Sequence, residues 1–222
     1  GASERIVGVG RIDQGKGNFL RAIDPHYDEK TILQRNVGPE QIVALSPDLV
    51  ILKSFMRGPL GAQLEELGLP VVYVDLETPQ QYERDLVLLG EIVGQPARGR
   101  ELARYYATRM REVEIQVAPL PQSGRPETLF LYADLTGGET VFSVPPQQWI
   151  QTRMTVLAGG IPVWTNAVSG SGWSRVTIEQ VAAWDPDVIT LVAYRQDATA
   201  VRSALLDNPV AASLRAVRDG RF

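Results

Sequence analysis

The sequence predicts an α/β fold with largely parallel sheets, divided into two lobes by a long central helix. Three observations support this fold class: short apolar strands alternate with helical patterns, a helical pattern of about 21 residues lies in mid-chain, and one helix–turn–strand segment occurs twice. At roughly 150 residues per domain, a chain of 222 residues allows one large domain or two small lobes. A chain of this size can bury a core without a disulfide or a structural metal.

Apolar periodicity and turn residues predict the elements of the first half. The expected strands and helices are residues 5–9 (strand), 39–45 (helix), 48–52 (strand), 61–67 (helix), 71–74 (strand) and 79–93 (helix). Gly68 ends the second helix, because glycine tolerates the left-handed conformation that closes a helix. Residues 10–37 are long, polar and glycine-containing, and they carry no predicted element.

The central pattern, residues 97–117, has no proline and no glycine after Gly99. A helix of this length spans roughly 30 Å, the width of a small domain. On this feature alone, it is either a rigid strut between two lobes or a packing helix on one of them.

The second half repeats the alternation after a linker rich in proline and glycine. The expected elements are residues 128–132 (strand), 147–157 (helix), 177–184 (helix), 188–192 (strand), 198–206 (helix) and 209–217 (helix). The last three residues, 220–222, have the pattern of a strand that begins there.

A repeat relates the two halves. Residues 39–52 (PEQIVALSPDLVIL) and 178–191 (IEQVAAWDPDVITL) align at a constant offset of 139. The identical pairs are Glu40/Glu179, Gln41/Gln180, Ala44/Ala183, Pro47/Pro186, Asp48/Asp187 and Leu52/Leu191. Each copy predicts a short helix, which ends before the proline, and a buried strand. A common α/β device explains the Pro-Asp turns but does not require Glu-Gln in both helices, so a structural repeat is favoured.

Glu40 and Glu179 lie in the first turn of these helices, where the helix dipole favours a carboxylate. This is a sufficient structural reason for either residue alone. As a matched pair on two lobes, they also offer two negative charges to arginines of a partner.

The composition argues against several function classes. The absence of cysteine removes disulfides, thiolate zinc sites and cysteine nucleophiles. The single histidine, His26, leaves no pair for a two-histidine metal site and little for Ser-His-Asp catalysis. A net charge of −4 and a pI near 5.2 argue against nucleic acid as a partner.

Several of these segments resemble the metal-chelate class of ABC-importer solute-binding proteins, which includes vitamin B12- and ferric-siderophore-binding proteins. The resemblance rests on GPEQIVALSPDLVIL, LEELGLPVVYVD, the Gly-Gly after Leu157, WSRVTIEQVAAWDPDVITL and the final NPVAASLRAVRDGRF. It implies two Rossmann-like α/β lobes, residues 1–96 and 119–222, a connecting helix at residues 97–118, and a ligand held between the lobes. The family's opening strand and helix before Arg5, and its last strand and helix after Phe222, are expected to be missing.

The resemblance also implies a function. We expect a non-catalytic, monomeric binding protein that delivers an iron–siderophore, haem or cobalamin-type metal chelate to an ABC-transporter permease. Glu40 and Glu179 are then the glutamates that dock onto arginines of the permease. The expected location is the periplasm or the cell exterior, with or without a lipid anchor. No cofactor, no resident metal and no nucleic acid are expected.

A site for a bulky chelate needs aromatic faces for stacking and a few cations for carboxylates or phosphates. Trp173 lies six residues before Glu179, which matches a cleft aromatic of the B12-binding members, and Tyr194 follows a strand. The candidate ligand-binding residues lie in loops or at element ends: Arg11, Arg35, Phe55, Arg57, Tyr132, Phe142, Trp149, Trp173, Tyr194 and Arg195.

Two other functions remain open. Residues 10–17 fit the GxxxxGK pattern of phosphate-binding loops, but Gly17 stands where Ser or Thr would bind Mg²⁺. Asp24-Pro25 also interrupts the helix that should follow such a loop. The second alternative is an interaction module that keeps the two-lobe fold without a ligand.

Overall fold

The computed structural model describes residues 2–10, 20–136, 140–194 and 196–222. The chain divides into two compact units. Unit 1 contains Gly1–Leu76 and Gln80–Ala103, and unit 2 contains Glu77–Pro79 and Arg104–Phe222. The long helix at Pro96–Val117 therefore begins in unit 1 and ends in unit 2.

Unit 1 is built from short parallel strand pairs and helices. Its elements are β1 (Gly8–Gly10), α1 (Leu20–Ile23), β2 (Thr31–Leu33), α2 (Pro39–Val43), β3 (Val50–Lys53), α3 (Ala62–Glu66), β4 (Val71–Val74), α4 (Pro79–Ile92) and the start of α5 (Pro96–Val117). Strand β1 pairs with β2, and β3 pairs with β4, both in parallel. The side chains that form its core are Ile42, Val50, Leu52, Leu60 and Leu64.

Helices α4 and α5 approach each other through two glycines. A Cβ atom on Gly90 would lie 2.7 Å from the Gly99 Cα, and one on Gly99 would lie 2.6 Å from the Leu86 carbonyl oxygen. The two backbones are therefore in direct contact. This contact explains why glycine occurs inside a helix, where it otherwise lowers stability.

Unit 2 contains the larger sheet. Its elements after α5 are β5 (Glu127–Asp134), β6 (Val141–Val144), α6 (Ile150–Leu157), β7 (Ile161–Pro162), β8 (Ser174–Val176), α7 (Ile178–Trp184), β9 (Val188–Val192), α8 (Ala198–Leu206), α9 (Pro209–Ala212) and α10 (Arg215–Arg218). Strand β5 pairs in parallel with β9 and β7 and antiparallel with β6, and β6 pairs antiparallel with β8.

The core of unit 2 lies against one face of β5. Leu129, Leu131 and Ala133 alternate along this strand and are fully buried. Trp164 is also fully buried, and its indole N–H donates to the Pro145 carbonyl oxygen at 2.7 Å. A buried tryptophan needs such a partner because its N–H would otherwise lose its hydrogen bond to water.

The structure confirms that both copies of the repeat form a helix, a turn and a strand: α2 and β3 in unit 1, α7 and β9 in unit 2. The match extends to the backbone, since Ser46 (φ 49°) and Asp185 (φ 38°), both before a proline, are left-handed. The paired glutamines act alike: the side-chain oxygens of Gln41 and Gln180 accept backbone N–H groups at the helix start, from Gly38 at 3.4 Å and from Thr177 at 2.9 Å.

Some predicted elements differ from the observed ones. The first strand is Gly8–Gly10 rather than residues 5–9, because Ala2–Arg5 forms a 3₁₀ turn. Residues 209–217 form two helices, α9 and α10, instead of one. Residues 220–222 form no strand, although the Arg221 carbonyl oxygen accepts the Ile189 N–H at 3.0 Å. Strands β2, β6, β7 and β8 were not predicted.

Candidate ligand-binding site

Four aromatic side chains of unit 2 surround a fifth, Trp173. Together they form what we call the aromatic cluster: Phe130, Tyr132, Trp149, Trp173 and Tyr194. The centroid of the Trp173 ring lies 5.4 Å from Tyr132, 5.9 Å from Trp149, 6.1 Å from Tyr194 and 6.5 Å from Phe130. The Tyr132 and Tyr194 rings are 5.5 Å apart. Trp173 is therefore the shared partner of the other four rings.

The strand arrangement brings these residues together. Phe130 and Tyr132 alternate with the buried leucines of β5, so they lie on the opposite face of the sheet. Trp173 directly precedes β8, and Tyr194 follows β9, which pairs with β5. Tyr132 pairs with Val192 at the end of β9, so Tyr194 lies at the carboxyl edge of these parallel strands, where open α/β sheets bind ligands.

Trp149 enters the cluster from helix α6, where it is the residue that precedes the first turn. Within unit 2, the Glu77 carboxylate accepts the N–H of Ile150, the next residue, at 2.7 Å. A carboxylate at a helix start is favoured by the helix dipole, and it accepts a hydrogen bond from an N–H group that has no partner within the helix. This bond helps to fix the end of α6 that carries Trp149.

All five rings are partly buried. The Trp149 and Tyr194 rings stand nearly edge-on to Trp173, at interplanar angles of 83° and 73°. Edge-to-face packing is a favourable geometry for aromatic pairs and holds the rings in fixed directions. The cluster therefore presents aromatic surface suited to stacking on a large apolar or conjugated molecule.

A polar network borders the cluster. Asp134 Oδ1 accepts the Thr136 N–H at 2.9 Å, the Thr136 hydroxyl at 2.7 Å and the Gln196 amide N–H at 2.8 Å. These bonds, led by the one from the Thr136 hydroxyl, lower the pKa of Asp134. Burial, followed by the Asp134 charge and its hydrogen bond, raises the pKa of the Tyr132 hydroxyl. Asp134 is thus charged and Tyr132 neutral at physiological pH.

Unit 1 has a different polar network after β4. The fully buried Asp85 carboxylate accepts the backbone N–H groups of Asp75 at 2.7 Å and Leu76 at 3.0 Å, and the Arg84 Nε–H at 2.6 Å. Burial acts to raise the pKa of Asp85, but the bonds from Arg84 and the two N–H groups outweigh it, and the pKa is lowered. Leu76 is held at a φ of 54°.

The same network reaches the loop after β3. The Asp75 carboxylate accepts the Ser54 N–H at 3.1 Å and the Ser54 hydroxyl at 2.7 Å. Three residues later, the Arg57 guanidinium lies 4.0 Å from the centroid of the Tyr73 ring, and the Tyr73 hydroxyl donates to Glu65 at 2.9 Å. Arg57 is exposed, so it offers a cation at a fixed position.

The predicted ligand-binding residues fall into four groups. The structure brings Tyr132, Trp149, Trp173 and Tyr194 together. Arg35, Phe55 and Arg57 are exposed on unit 1. Phe142 is only 5% exposed and packs in the core of unit 2. Arg11, Arg195 and residues 11–17 of the GxxxxGK pattern lie outside the described residues.

Three residues of this region were missed by sequence reasoning. Phe130 could have been found, because it lies two residues before Tyr132 on the same strand and so shares its face. Asp134 and Gln196 carry no local signal, since their partnership depends on the pairing of β5 with β9.

Glu40 and Glu179 are exposed in the first turns of α2 and α7. Hydrogen bonds from its own backbone N–H and from the Thr177 side chain lower the pKa of Glu179. Beside Glu179 lies an open groove of about 400 Å³, lined by Thr140, Val141, Phe142, Arg175, Val176, Thr177, Ile178 and Asn208. No residue of the aromatic cluster lines this groove.

Comparison with known proteins shows the family of this chain. Residues 16–222 match the family model of periplasmic binding proteins, and the chain belongs to this family. It is similar to a vitamin B12-binding protein of Yersinia pestis, with 25% identity over 209 residues that cover 86% of this chain and 70% of the relative. A vitamin B12-binding protein of Vibrio parahaemolyticus is 24% identical over 186 residues, which cover 79% of this chain and 63% of the relative.

Solved structures share the fold. MolA, a molybdate periplasmic binding protein of Haemophilus influenzae, superposes with a TM-score of 0.75 at 19% identity, covering 94% of this chain and 67% of its own. A periplasmic heme-binding protein of Pseudomonas aeruginosa gives a TM-score of 0.71 at 24% identity, covering 97% and 74%.

These comparisons confirm the resemblance and the two-lobe α/β fold. The family consists of substrate-binding proteins of ABC importers, so the chain has a small-molecule ligand, a permease partner and an extracytoplasmic location. None of the helices in the described ranges is both long and apolar enough to cross a bilayer.

Proposed function

We propose that this chain binds a bulky metal chelate of the corrinoid, haem or ferric-siderophore type and delivers it to its permease without catalysing a reaction. The aromatic cluster is the observation that carries this proposal. Ring faces suit the large conjugated or apolar surface of such a chelate, whereas a small oxyanion is held by hydrogen-bond donors and cations. The similarity to vitamin B12-binding proteins supports the same class of ligand.

Trp173 is the central contact in this proposal. Trp173→Ala removes the ring that the other four contact, and it should weaken binding of a stacked chelate by roughly 1–3 kcal/mol. Cyanocobalamin and haemin are suitable probes, titrated by calorimetry against the wild-type chain and the variant. Tyr105→Ala, at a tyrosine of α5 that is 58% exposed, serves as the control. Wild-type affinity in Trp173→Ala would remove the cluster from the site.

Arg35, Phe55 and Arg57 are proposed as ligand contacts from unit 1. Arg57 is the most specific of them, because its stack on Tyr73 holds the guanidinium in place while leaving it exposed. A fixed guanidinium pairs well with a carboxylate or phosphate at the edge of a chelate. Phe142 is left out, since its ring is in the core.

Glu40 and Glu179 are proposed to dock on arginines of the permease. The neighbouring glutamines Gln41 and Gln180 already accept the N–H groups at the helix starts, so these bonds do not need the glutamates. Both carboxylates are exposed at equivalent positions, and Glu179 keeps its charge because hydrogen bonds from its own backbone N–H and from the Thr177 side chain lower its pKa.

The double variant Glu40→Arg/Glu179→Arg should abolish uptake in cells and leave the affinity of the purified chain unchanged. Glu66→Arg/Glu114→Arg makes the same charge change elsewhere on the two units and should leave uptake intact. Loss of ligand affinity in the first variant would assign these glutamates to the binding site or the fold instead.

A further inference from the structure

A pair of polar residues joins the end of β5 to the loop after β9, beside the aromatic cluster. The Gln196 amide nitrogen donates to Asp134 Oδ1 at 2.8 Å, and the Gln196 amide oxygen accepts the Leu135 backbone N–H at 3.0 Å. The Gln196 side chain is thus hydrogen-bonded to the end of β5 and the residue after it, once as donor and once as acceptor. We refer to Asp134 and Gln196 as the clasp.

Each member of the clasp lies two residues after a tyrosine of the cluster. Asp134 follows Tyr132 on the same face of β5. Tyr194 lies two residues before Gln196 in the same loop. The clasp therefore links the two chain segments that carry these tyrosines, whose rings are 5.5 Å apart and both contact Trp173.

We infer that Asp134 and Gln196 are positioning residues that hold the rings of Tyr132 and Tyr194 against Trp173 before a ligand arrives. The inference deepens the proposed function and rests on it, because it concerns the geometry of the proposed binding site. The physical reason is conformational entropy: rings that are already ordered lose less freedom on binding, which improves affinity without a new contact.

A purely local role of Asp134 makes a different prediction. Asp134 also accepts two bonds from Thr136, a pattern that stabilises the turn by itself. If this were its whole role, Asp134 would matter and Gln196 would not. A positioning role requires both residues and, above all, the bond between them.

Reversing this bond tests the inference. Gln196→Glu places a second carboxylate against Asp134, where like charges repel. Adding Asp134→Asn in the same chain restores a donor, because the new amide at position 134 can donate to the new carboxylate at position 196. Gln122→Glu makes the same charge change at an exposed glutamine of unit 2 and serves as the control.

The first readouts need no ligand. Gln196→Glu should change the near-ultraviolet circular dichroism of the aromatic residues and speed hydrogen exchange at the Leu135 amide by about tenfold or more, as local opening becomes easier. The double variant should return both towards wild type, and far-ultraviolet spectra should stay constant throughout. Wild-type values in Gln196→Glu, or no recovery in the double variant, would overturn the inference.

The second readout is affinity for cyanocobalamin and for haemin, measured by quenching of tryptophan fluorescence. The affinity of Gln196→Glu for these probes should be lower by about fivefold or more, and the double variant should recover the wild-type affinity. Equal affinity in wild type and Gln196→Glu would show that the clasp does not position the site. If the wild-type chain binds neither probe, the proposed ligand class fails, and the ligand-free readouts still decide for or against the clasp.

Discussion

In each unit an aspartate forms hydrogen bonds that hold the chain at the end of a strand, but the two aspartates lie in opposite environments. In unit 1 the key carboxylate, Asp85, is fully buried and binds an arginine and two backbone N–H groups. In unit 2, Asp134 is partly exposed and its partners are neutral hydroxyl and amide groups. A buried network is costly to break because its groups cannot form hydrogen bonds with water instead. In a half-exposed network, water can replace a lost partner. Asp85 therefore contributes mainly to the stability of unit 1, whereas Asp134 contributes mainly to the positions of the aromatic rings in unit 2.

The largest expected effect compares the two aspartates. Asp85→Ala should lower the free energy of unfolding by about 3 kcal/mol, because two backbone N–H groups and Arg84 lose their acceptor in a buried site. Asp134→Ala should cost about 1 kcal/mol or less, since water can replace the lost bonds. Urea denaturation followed by circular dichroism measures both values. Equal costs would show that burial does not distinguish the two aspartates.

The pH dependence of stability is a second test of the role of Asp85. Because the pKa of Asp85 is lowered in the folded chain, its carboxylate stabilises the fold above its ordinary value of 3.8, and this contribution is lost as the pH falls through the folded pKa. Asp85→Asn should therefore flatten the fall in stability of the wild-type chain below about pH 4. An unchanged slope in urea titrations at a series of acidic pH values would show that Asp85 does not contribute.

The next effect concerns the glycines of each unit. Gly99→Ala in unit 1 should cost about 2 kcal/mol, because its Cβ would lie 2.6 Å from a backbone oxygen that cannot move away. Gly160→Ala in unit 2 should cost less, since its closest atom, at 2.7 Å, belongs to the Thr128 side chain. Gly58→Ala is the control, because a Cβ atom there would meet no atom within 4 Å outside its own stretch of chain. The order of melting temperatures tests this ranking, and a Gly160→Ala variant less stable than Gly99→Ala would refute it.

The smallest effect compares the helix starts of the repeat. In unit 2, Gln180 accepts the Thr177 N–H while the Thr177 hydroxyl accepts the Gln180 N–H, which completes a capping box. In unit 1, Gly38 has no side chain to return the bond. We expect Gln180→Ala to cost about 1 kcal/mol and Gln41→Ala about half of that. Denaturation of both variants under identical conditions measures the difference, and the reverse order would contradict it.

Sequence reasoning was most successful where the signal is local. The repeat, the long helix and strands such as Val71–Val74 follow from apolar periodicity and from the turn residues that end each element. Strands β6 and β8 were missed because they lack such a local signal. Val141–Val144 is nearly all buried and lacks alternation, and Ser174–Val176 is too short to show it.

The site was predictable only in part. Four of the five clustered aromatics stood out because they lie in loops or at the ends of elements, where large rings are exposed unless something covers them. Phe142 was grouped with them because of its residue type, but β6 lies between β5 and β8, and its ring points into the core. The partnership of Asp134 with Gln196 joins residues that lie 62 positions apart, so it follows from strand pairing and not from any motif.

The most direct test of the proposed binding site is a crystal structure of this chain purified from its own host together with the molecule that it carries. We expect a metal chelate in van der Waals contact with the Trp173 ring and with at least one of its tyrosine neighbours. A ligand bound out of contact with all five rings of the aromatic cluster would rule out the proposed site.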